Sequence, residues 1–106
     1  MKTNILYTPE LRWENITLFP GTAEAKVLRD DGPGKAKTML VRFHPGEAVK
    51  PHTHVATVQH YVIEGEYESE GSVYGAGTYR RLPEHTDVGS ISTQNGVTIL
   101  MIYDPL

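Results

Sequence analysis

The sequence predicts a single all-β domain, an antiparallel sandwich or barrel with little helix. Turn signals recur at short intervals along the 106 residues, short runs between them alternate polar with apolar residues, and no segment shows a 3.6-residue apolar period. Domains usually hold about 100 to 150 residues. We therefore expect one domain over residues 1–106, with residues 1–12 as a lead-in segment.

Four segments carry the strand prediction. KTMLVRF (37–43) alternates Met39, Val41 and Phe43 with other residues, so one of its faces should be buried. VQHYVIEGEYES (58–69) and GTYRRL (77–82) suit strands through their β-branched and aromatic residues. STQNGVTILMIY (92–103) predicts a hairpin, because Asn-Gly supplies the two positive φ values of a type I′ turn.

The run VTILMIY (97–103) is almost continuously apolar. Such a strand is typically covered on both faces, either by an opposing sheet or by a second subunit. We therefore expect a homodimer.

Composition excludes several classes of partner and site. The net charge is −3 and the basic residues are scattered, so we expect no nucleic acid partner. The chain has no cysteine, so any metal must rest on nitrogen and oxygen ligands. No stretch reaches the roughly 18 apolar residues that a membrane span requires. We expect no membrane partner and a cytoplasmic location.

Three of the five histidines lie within nine residues, in the stretch KPHTHVATVQH (50–60). His52 and His54 are separated by one residue, so in a strand they project from the same face, about 7 Å apart at their roots. Two imidazoles on one face can converge on one metal ion. The same spacing also occurs as a polar patch at the end of a strand.

The spacing around these histidines resembles the first motif of the cupin superfamily, G-x5-H-x-H-x3-E-x6-G, through Gly46, His52, His54, position 58 and Gly65. Gly77 and Pro83 resemble the opening of the second motif, G-x5-P-x-G-x2-H. The sequence is most similar to small cupins: zinc-binding anti-sigma-factor domains and acetylacetone and dihydroxyacetophenone dioxygenases. The resemblance implies an antiparallel double-stranded β-helix, the RmlC-like jelly-roll barrel, with one metal ion between its sheets.

Two of the four usual ligand positions depart from the superfamily pattern, since Val58 replaces the glutamate and Val88 the histidine. His60 shares strand parity with position 58, so it should share its direction. His85 lies in a turn three residues before the expected ligand. Either could complete the site, but His60 could equally be a hydrogen-bonded lining residue and His85 an exposed turn residue. A register shifted by one residue would point Gln59 inward instead of His60.

The resemblance implies a metal-dependent enzyme that acts on a small molecule. His52 and His54 would hold the ion, with His60 or His85 as the third ligand. A histidine-only set suits Fe(II), with Zn, Ni or Mn as alternatives, and the implied reaction is oxidative cleavage of a β-diketone or hydroxyketone. A remaining histidine, such as His60, would accept the proton of a chelating enol. Tyr79 and Arg81 are candidates to orient an anionic or carbonyl group, although packing and surface roles also explain them.

Two other functions stay open. The chain could be a non-catalytic module that binds a metal or small ligand and senses it, as the anti-sigma-factor cupins imply. It could also bind an organic molecule without metal, which Val58 and Val88 favour and the retained His52 and His54 do not.

Overall fold

The computed structural model of the chain describes residues 3–18 and 21–106. Those residues contain a 3-10 turn at Thr8–Glu10 and no α-helix. None of the described chain forms a helix long and apolar enough to cross a membrane. The described residues form eleven strands: β1 (Glu14–Leu18), β2 (Gly21–Asp30), β3 (Lys37–Phe43), β4 (Ala48–Val49), β5 (His52–His54), β6 (Val58–Ser69), β7 (Ser72–Gly75), β8 (Tyr79–Leu82), β9 (Thr86–Val88), β10 (Ile91–Ser92) and β11 (Val97–Tyr103). The predicted all-β class is confirmed.

Four of the nine strand pairings among the described residues involve one long strand, β6. The main sheet runs β1-β2-β3-β11-β6, and β8 pairs with the first half of β6. The second half of β6 pairs with β7 and β10, and β10 pairs with β4. Strands β5 and β9 form a separate two-stranded ribbon. All pairings among the described residues are antiparallel. Because the two halves of β6 pair with different strands, the sheet continues around β6 into the predicted barrel-like form.

A bulge midway along β6 changes which residues point inward. The register with β11 shifts at Ile63, which has no partner on β11 and is 47% exposed. An extra residue of this kind is a β-bulge. In a regular strand, residues an odd number apart face opposite sides. Here the inward set changes from even to odd positions, because the buried residues are Val58, His60 and Val62 before the bulge and Tyr67 and Ser69 after it.

Gly65 allows β6 to bend just after the bulge. Its φ is +78°, in the region that favours glycine. A Cβ atom added there would lie 2.1 Å from the carbonyl oxygen of Gly96. No side chain fits in that space. The backbones at Gly65 and Gly96 can approach this closely because residue 65 has no side chain.

The core lies on the inner side of the curled sheet. Met39, Val41 and Phe43 of β3 are all buried, as their alternation predicts. β11 also alternates, with its inner residues buried, but Leu100 and Ile102 on its outer side are only partly covered. Within one chain, therefore, β11 is fully covered on one face.

The predicted hairpin at Asn95-Gly96 is wrong. β10 pairs with β4 and β6, whereas β11 pairs with β3 and β6, so the two strands flanking the turn do not pair with each other. Of the two turn residues only Gly96 has a positive φ. The Thr93 hydroxyl oxygen accepts the N–H of Gly96 at 2.9 Å and donates to the carbonyl oxygen of Glu66 at 2.7 Å. These bonds stabilise a connection between the two halves of the sheet.

We expect Gly65→Ala to destabilise the protein far more than Gly71→Ala. Both glycines have positive φ, +78° and +83°, so both variants carry backbone strain of about 1 kcal/mol. Only Gly65 meets a backbone atom, since nothing lies within 4 Å of the added Cβ at Gly71. The overlap should add about 1 to 3 kcal/mol to the loss at position 65. Urea unfolding of the two variants measures the difference, and equal losses would contradict the close approach.

Candidate metal and ligand site

A cavity of about 290 Å³ opens beside the ribbon of β5 and β9. Most of its lining is apolar, and Phe43 and Met101 belong to that part of the wall. Three histidines also line it: His52 and His54 from β5, and His60 from β6. The curl of the sheet therefore brings together the three histidines that cluster in the sequence.

His52 and His54 lie on the same face of β5. Their partners on β9 are Val88 and Thr86, which hold the short strand in an extended form. The two rings stack with centroids 4.7 Å apart and planes 24° apart. Their Nε2 atoms are 2.8 Å apart. Two nitrogens bound to one ion, with bonds of about 2.0 to 2.1 Å, would be about 2.9 Å apart at a right angle and about 3.3 Å apart at a tetrahedral angle.

The hydrogen bonds of His52 leave a lone pair for a metal. Its Nδ1 lies 2.9 Å from the carbonyl oxygen of Lys50, which can only accept, so Nδ1 carries the hydrogen. Nε2 of neutral His52 is then unprotonated and accepts a hydrogen bond from Nε2–H of His54 at 2.8 Å, so His54 must move this hydrogen to Nδ1 when its Nε2 binds an ion. Metal-bound histidines usually donate their second N–H to a carbonyl or carboxylate in this way. The donor set at His52 and His54 therefore fits a first-row divalent ion.

His54 is uncharged at neutral pH. Burial, followed by the nearby His52, lowers the pKa of His54 to about 4. A neutral imidazole is the form that binds metal. The half-buried position of this ring therefore favours the state that a ligand needs.

His60 occupies the inner wall of the cavity and is 2% exposed. Its Nδ1 lies 3.0 Å from the hydroxyl oxygen of Tyr67. Burial, followed by electrostatic repulsion from Arg80 and, when they are protonated, from His54 and His52, lowers the pKa of His60 to about 3. An imidazole with so low a pKa is a weak base at neutral pH. This environment does not favour the role of proton acceptor that the sequence suggested for His60.

Tyr67 and Arg80 stand behind His60, and sequence analysis did not identify either. Tyr67 is 0% exposed, and Nη1 of Arg80 donates to its hydroxyl oxygen at 3.2 Å. Burial raises the pKa of Tyr67 above its ordinary value, against the lowering effect of Arg80. Arg80 pairs with His60 across β8 and β6. Arg80 lies two residues before apolar Leu82, so strand alternation predicts that both side chains point inward. The same alternation predicts an outward Tyr67, because the bulge in β6 that reverses the inward positions is not visible in the sequence.

Tyr79 and Arg81 lie on the outer side of the sheet, not in the cavity. Tyr79 is 54% exposed and donates its hydroxyl hydrogen to Oε1 of Gln59 at 2.7 Å. Arg81 is exposed and pairs with Gln59. On β8 the inward positions are the alternate residues Arg80 and Leu82, which is why the suggested orienting residues face away from any ligand in the cavity.

His85 is exposed and does not line the cavity. Its φ is +58°, and its backbone N–H donates to the carbonyl oxygen of His54 at 2.7 Å. The turn therefore supports β5 through its backbone while its imidazole points elsewhere. Within residues 3–18 and 21–106, no three histidine, aspartate or glutamate side chains are arranged to hold a metal ion. The structure brings His52 and His54 together as a pair, with His60 farther along the same wall.

The model of one protein family, the ChrR cupin-like domain, matches residues 2–106. An RmlC-like cupin protein from Ralstonia eutropha superposes with a TM-score of 0.83 at 16% identity, over 99% of this chain and 70% of that chain. An acetylacetone dioxygenase from Acinetobacter johnsonii gives 0.76 at 13% identity, over 97% and 73%. The structure of Rhodobacter sphaeroides SigE in complex with the anti-sigma ChrR gives 0.72 at 23% identity, over 90% and 50%.

At these identities the similar structures show the fold and not the activity. They confirm the predicted cupin jelly roll. No curated protein sequence matches the chain. Because the family model spans almost the whole sequence and the fold agrees with it, this chain belongs to the ChrR cupin-like domain family.

Proposed function

We propose that this cupin domain binds a divalent metal ion through His52 and His54 and uses it on a small molecule in the adjoining cavity. The observation that carries the proposal is the 2.8 Å separation of the two Nε2 atoms, with Nδ1 of His52 bonded to a backbone carbonyl. Val58 and Val88, at the usual positions of further cupin ligands, are buried apolar residues. Two protein ligands leave coordination positions open for water or for a bound molecule.

The candidate reaction is oxidative C–C cleavage of a β-diketone or hydroxyketone, with Fe(II) as the preferred ion and Zn, Ni or Mn as alternatives. Fe(II) with open positions supplies the chemistry that activates dioxygen beside a substrate. The chain itself would contribute two imidazoles and a largely apolar cavity beside them. The similarity in fold to an acetylacetone dioxygenase supports this class of substrate.

A non-catalytic metal- or ligand-binding module is the second candidate. It is favoured by one observation, the absence of a third ligand beside His52 and His54 among the described residues. The similarity to a structure that contains the anti-sigma ChrR supports it as well. In this alternative the ion would be bound, and oxygen would not be consumed.

We also propose that the domain forms a homodimer through the outer face of its main sheet. A row of apolar side chains crosses this face, formed by Leu40, Leu100, Tyr61 and Tyr79 on neighbouring strands. Tyr61 and Tyr79 are 45% and 54% exposed. Arg81 lies on one side of the row and Glu64 on the other, so a two-fold axis along the row would bring these opposite charges together.

Replacing both His52 and His54 with alanine should abolish stoichiometric metal binding. The two imidazoles are the donors on which the ion depends, and no cysteine is available to replace them. Metal content per chain, measured on protein purified without a histidine tag, tests this. His44→Ala is the control, because His44 is exposed and bonded to Glu24 outside the cavity. His85→Ala should also bind like the parent, and a full equivalent of metal in the double variant would refute the assignment.

The Fe(II)-loaded protein should consume oxygen when acetylacetone is added. An oxygen electrode measures the rate, and the His52→Ala/His54→Ala variant supplies the background. Uptake equal to that background, in protein that contains a full equivalent of Fe(II), would exclude the dioxygenase and favour the non-catalytic module. A protein that binds the diketone without any metal would instead support a metal-free cupin.

Tyr61→Glu should convert the dimer to a monomer, because two carboxylates would face each other in the apolar row. Val73→Glu is the matched control, since Val73 is 67% exposed on β7, away from that row. Light scattering gives the mass of each variant in solution. A monomeric parent would contradict the proposed dimer, and a dimeric Tyr61→Glu variant would contradict the proposed face.

A further inference from the structure

We infer that Arg80 and Tyr67 hold His60 as a hydrogen-bond donor, which presents Nε2–H to the cavity and binds an anionic or carbonyl oxygen of the ligand. The inference rests on the proposed function in one respect, that a small molecule occupies the cavity. It assigns His60 a different role from that of His52 and His54. Tyr67 and Arg80 become positioning residues, since neither lines the cavity.

The direction of the hydrogen-bond chain begins at Arg80. A guanidinium has donors only, so at 3.2 Å from Nη1 the hydroxyl oxygen of Tyr67 must accept. The hydroxyl hydrogen of Tyr67 then needs an acceptor of its own, and Tyr67 is 0% exposed, which excludes bulk water. Nδ1 of His60, 3.0 Å away, is the acceptor that the described structure offers.

The chain fixes the position of the hydrogen on His60. A neutral imidazole carries one N–H, and Nδ1 is used as an acceptor. The hydrogen must therefore be on Nε2. In the reverse arrangement, Nδ1–H would donate to Tyr67, and the hydroxyl hydrogen of Tyr67 would be buried with no acceptor among the described residues. Buried donors without partners are strongly disfavoured, so the direction from Arg80 through Tyr67 to His60 is preferred.

Nε2 of His60 is open to the cavity. His60 is one of the lining residues, and its hydrogen bond in the described structure uses Nδ1. Among the described residues, Ser69 Oγ is the one fully buried side-chain nitrogen or oxygen atom without a hydrogen-bond partner. Nε2 of His60 also has no partner in the described structure, so it cannot be fully buried. Nε2 is therefore not sealed inside the protein and faces the cavity.

An N–H group in an apolar wall selects for oxygen in the ligand. The lining is mostly apolar, as at Phe43, Val58 and Met101. Its two hydroxyl groups, on Thr53 and Tyr103, already donate to Asp87 and to the thioether of Met101. A hydrogen bond from Nε2–H to an enolate, carboxylate or carbonyl oxygen would be strengthened by this low-polarity setting. A nitrogen that carries a hydrogen has no lone pair for a metal ion. His52 and His54 would thus hold the ion while His60 holds an oxygen of the ligand.

The tautomer can be measured in metal-free protein by long-range ¹H–¹⁵N correlation spectra of the imidazoles. We expect His60 as a single neutral tautomer protonated at Nε2, together with a slowly exchanging hydroxyl proton from Tyr67. The Tyr67→Phe variant should lose that proton. A His60 protonated at Nδ1 in the parent would overturn the inference. This result does not depend on metal binding, so it stands apart from the outcome for His52 and His54.

Acetylacetone affinity and Zn²⁺ affinity, measured separately, show whether His60 donates a hydrogen bond to the small molecule or binds the metal ion. In Zn²⁺-loaded protein, which does not turn over, His60→Leu should weaken acetylacetone binding about tenfold and change Zn²⁺ affinity less than about threefold. His60→Gln retains a donor and should recover part of the lost affinity, while Tyr67→Phe should weaken acetylacetone binding alone. Loss of Zn²⁺ from His60→Leu, as in the His52→Ala/His54→Ala variant, would make His60 a metal ligand. Parent protein that does not bind acetylacetone, or a His60→Leu variant that binds it equally well, would overturn the donor role.

Discussion

The close approach of Gly65 to the carbonyl oxygen of Gly96 is the constraint on which the rest of the structure depends. The space available there excludes a Cβ atom, so β6 can bend and pass from one half of the curled sheet to the other. The bulge at Ile63 precedes the bend and reverses the parity of the inward residues. Because of that reversal, His60 and Tyr67 meet across the bend although they are seven residues apart. The backbone geometry of one strand therefore positions the inner wall of the cavity.

Burial then sets the chemical state of the histidines in that wall. The loss of solvent keeps His54 and His60 neutral, with pKa values lowered to about 4 and about 3. The role open to a neutral imidazole depends on whether its Nδ1 donates or accepts a hydrogen bond, because this decides whether Nε2 has a lone pair or a hydrogen. His52 gives its Nδ1–H to a backbone carbonyl, which leaves a lone pair on Nε2, whereas His60 receives a hydrogen at Nδ1 from Tyr67, which leaves an N–H on Nε2. In the proposed assignment, similar side chains thus serve as a metal ligand and as a hydrogen-bond donor in one cavity.

Sequence patterns predicted the parts of this arrangement that depend on local periodicity. The alternation of Met39, Val41 and Phe43 and the bounds of β6 are confirmed, because a half-buried strand imposes a period of two. The hairpin at Asn95-Gly96 was wrong, since long-range pairing with β6 overrode a local turn preference. Tyr67 was not predictable, because a bulge leaves no clear sign in composition. The alternation along β8 does indicate the inward residue, because Arg80 shares strand parity with apolar Leu82, whereas Tyr79 and Arg81 do not.

The most direct test of the account is a crystal structure of the Zn²⁺-loaded protein with acetylacetone bound. The account predicts Zn²⁺ about 2.0 to 2.1 Å from Nε2 of both His52 and His54. It also predicts Nε2 of His60 at hydrogen-bonding distance from an oxygen of the diketone and outside the coordination sphere of the ion. A Zn–N bond to His60, or an ion bound away from His52 and His54, would contradict it.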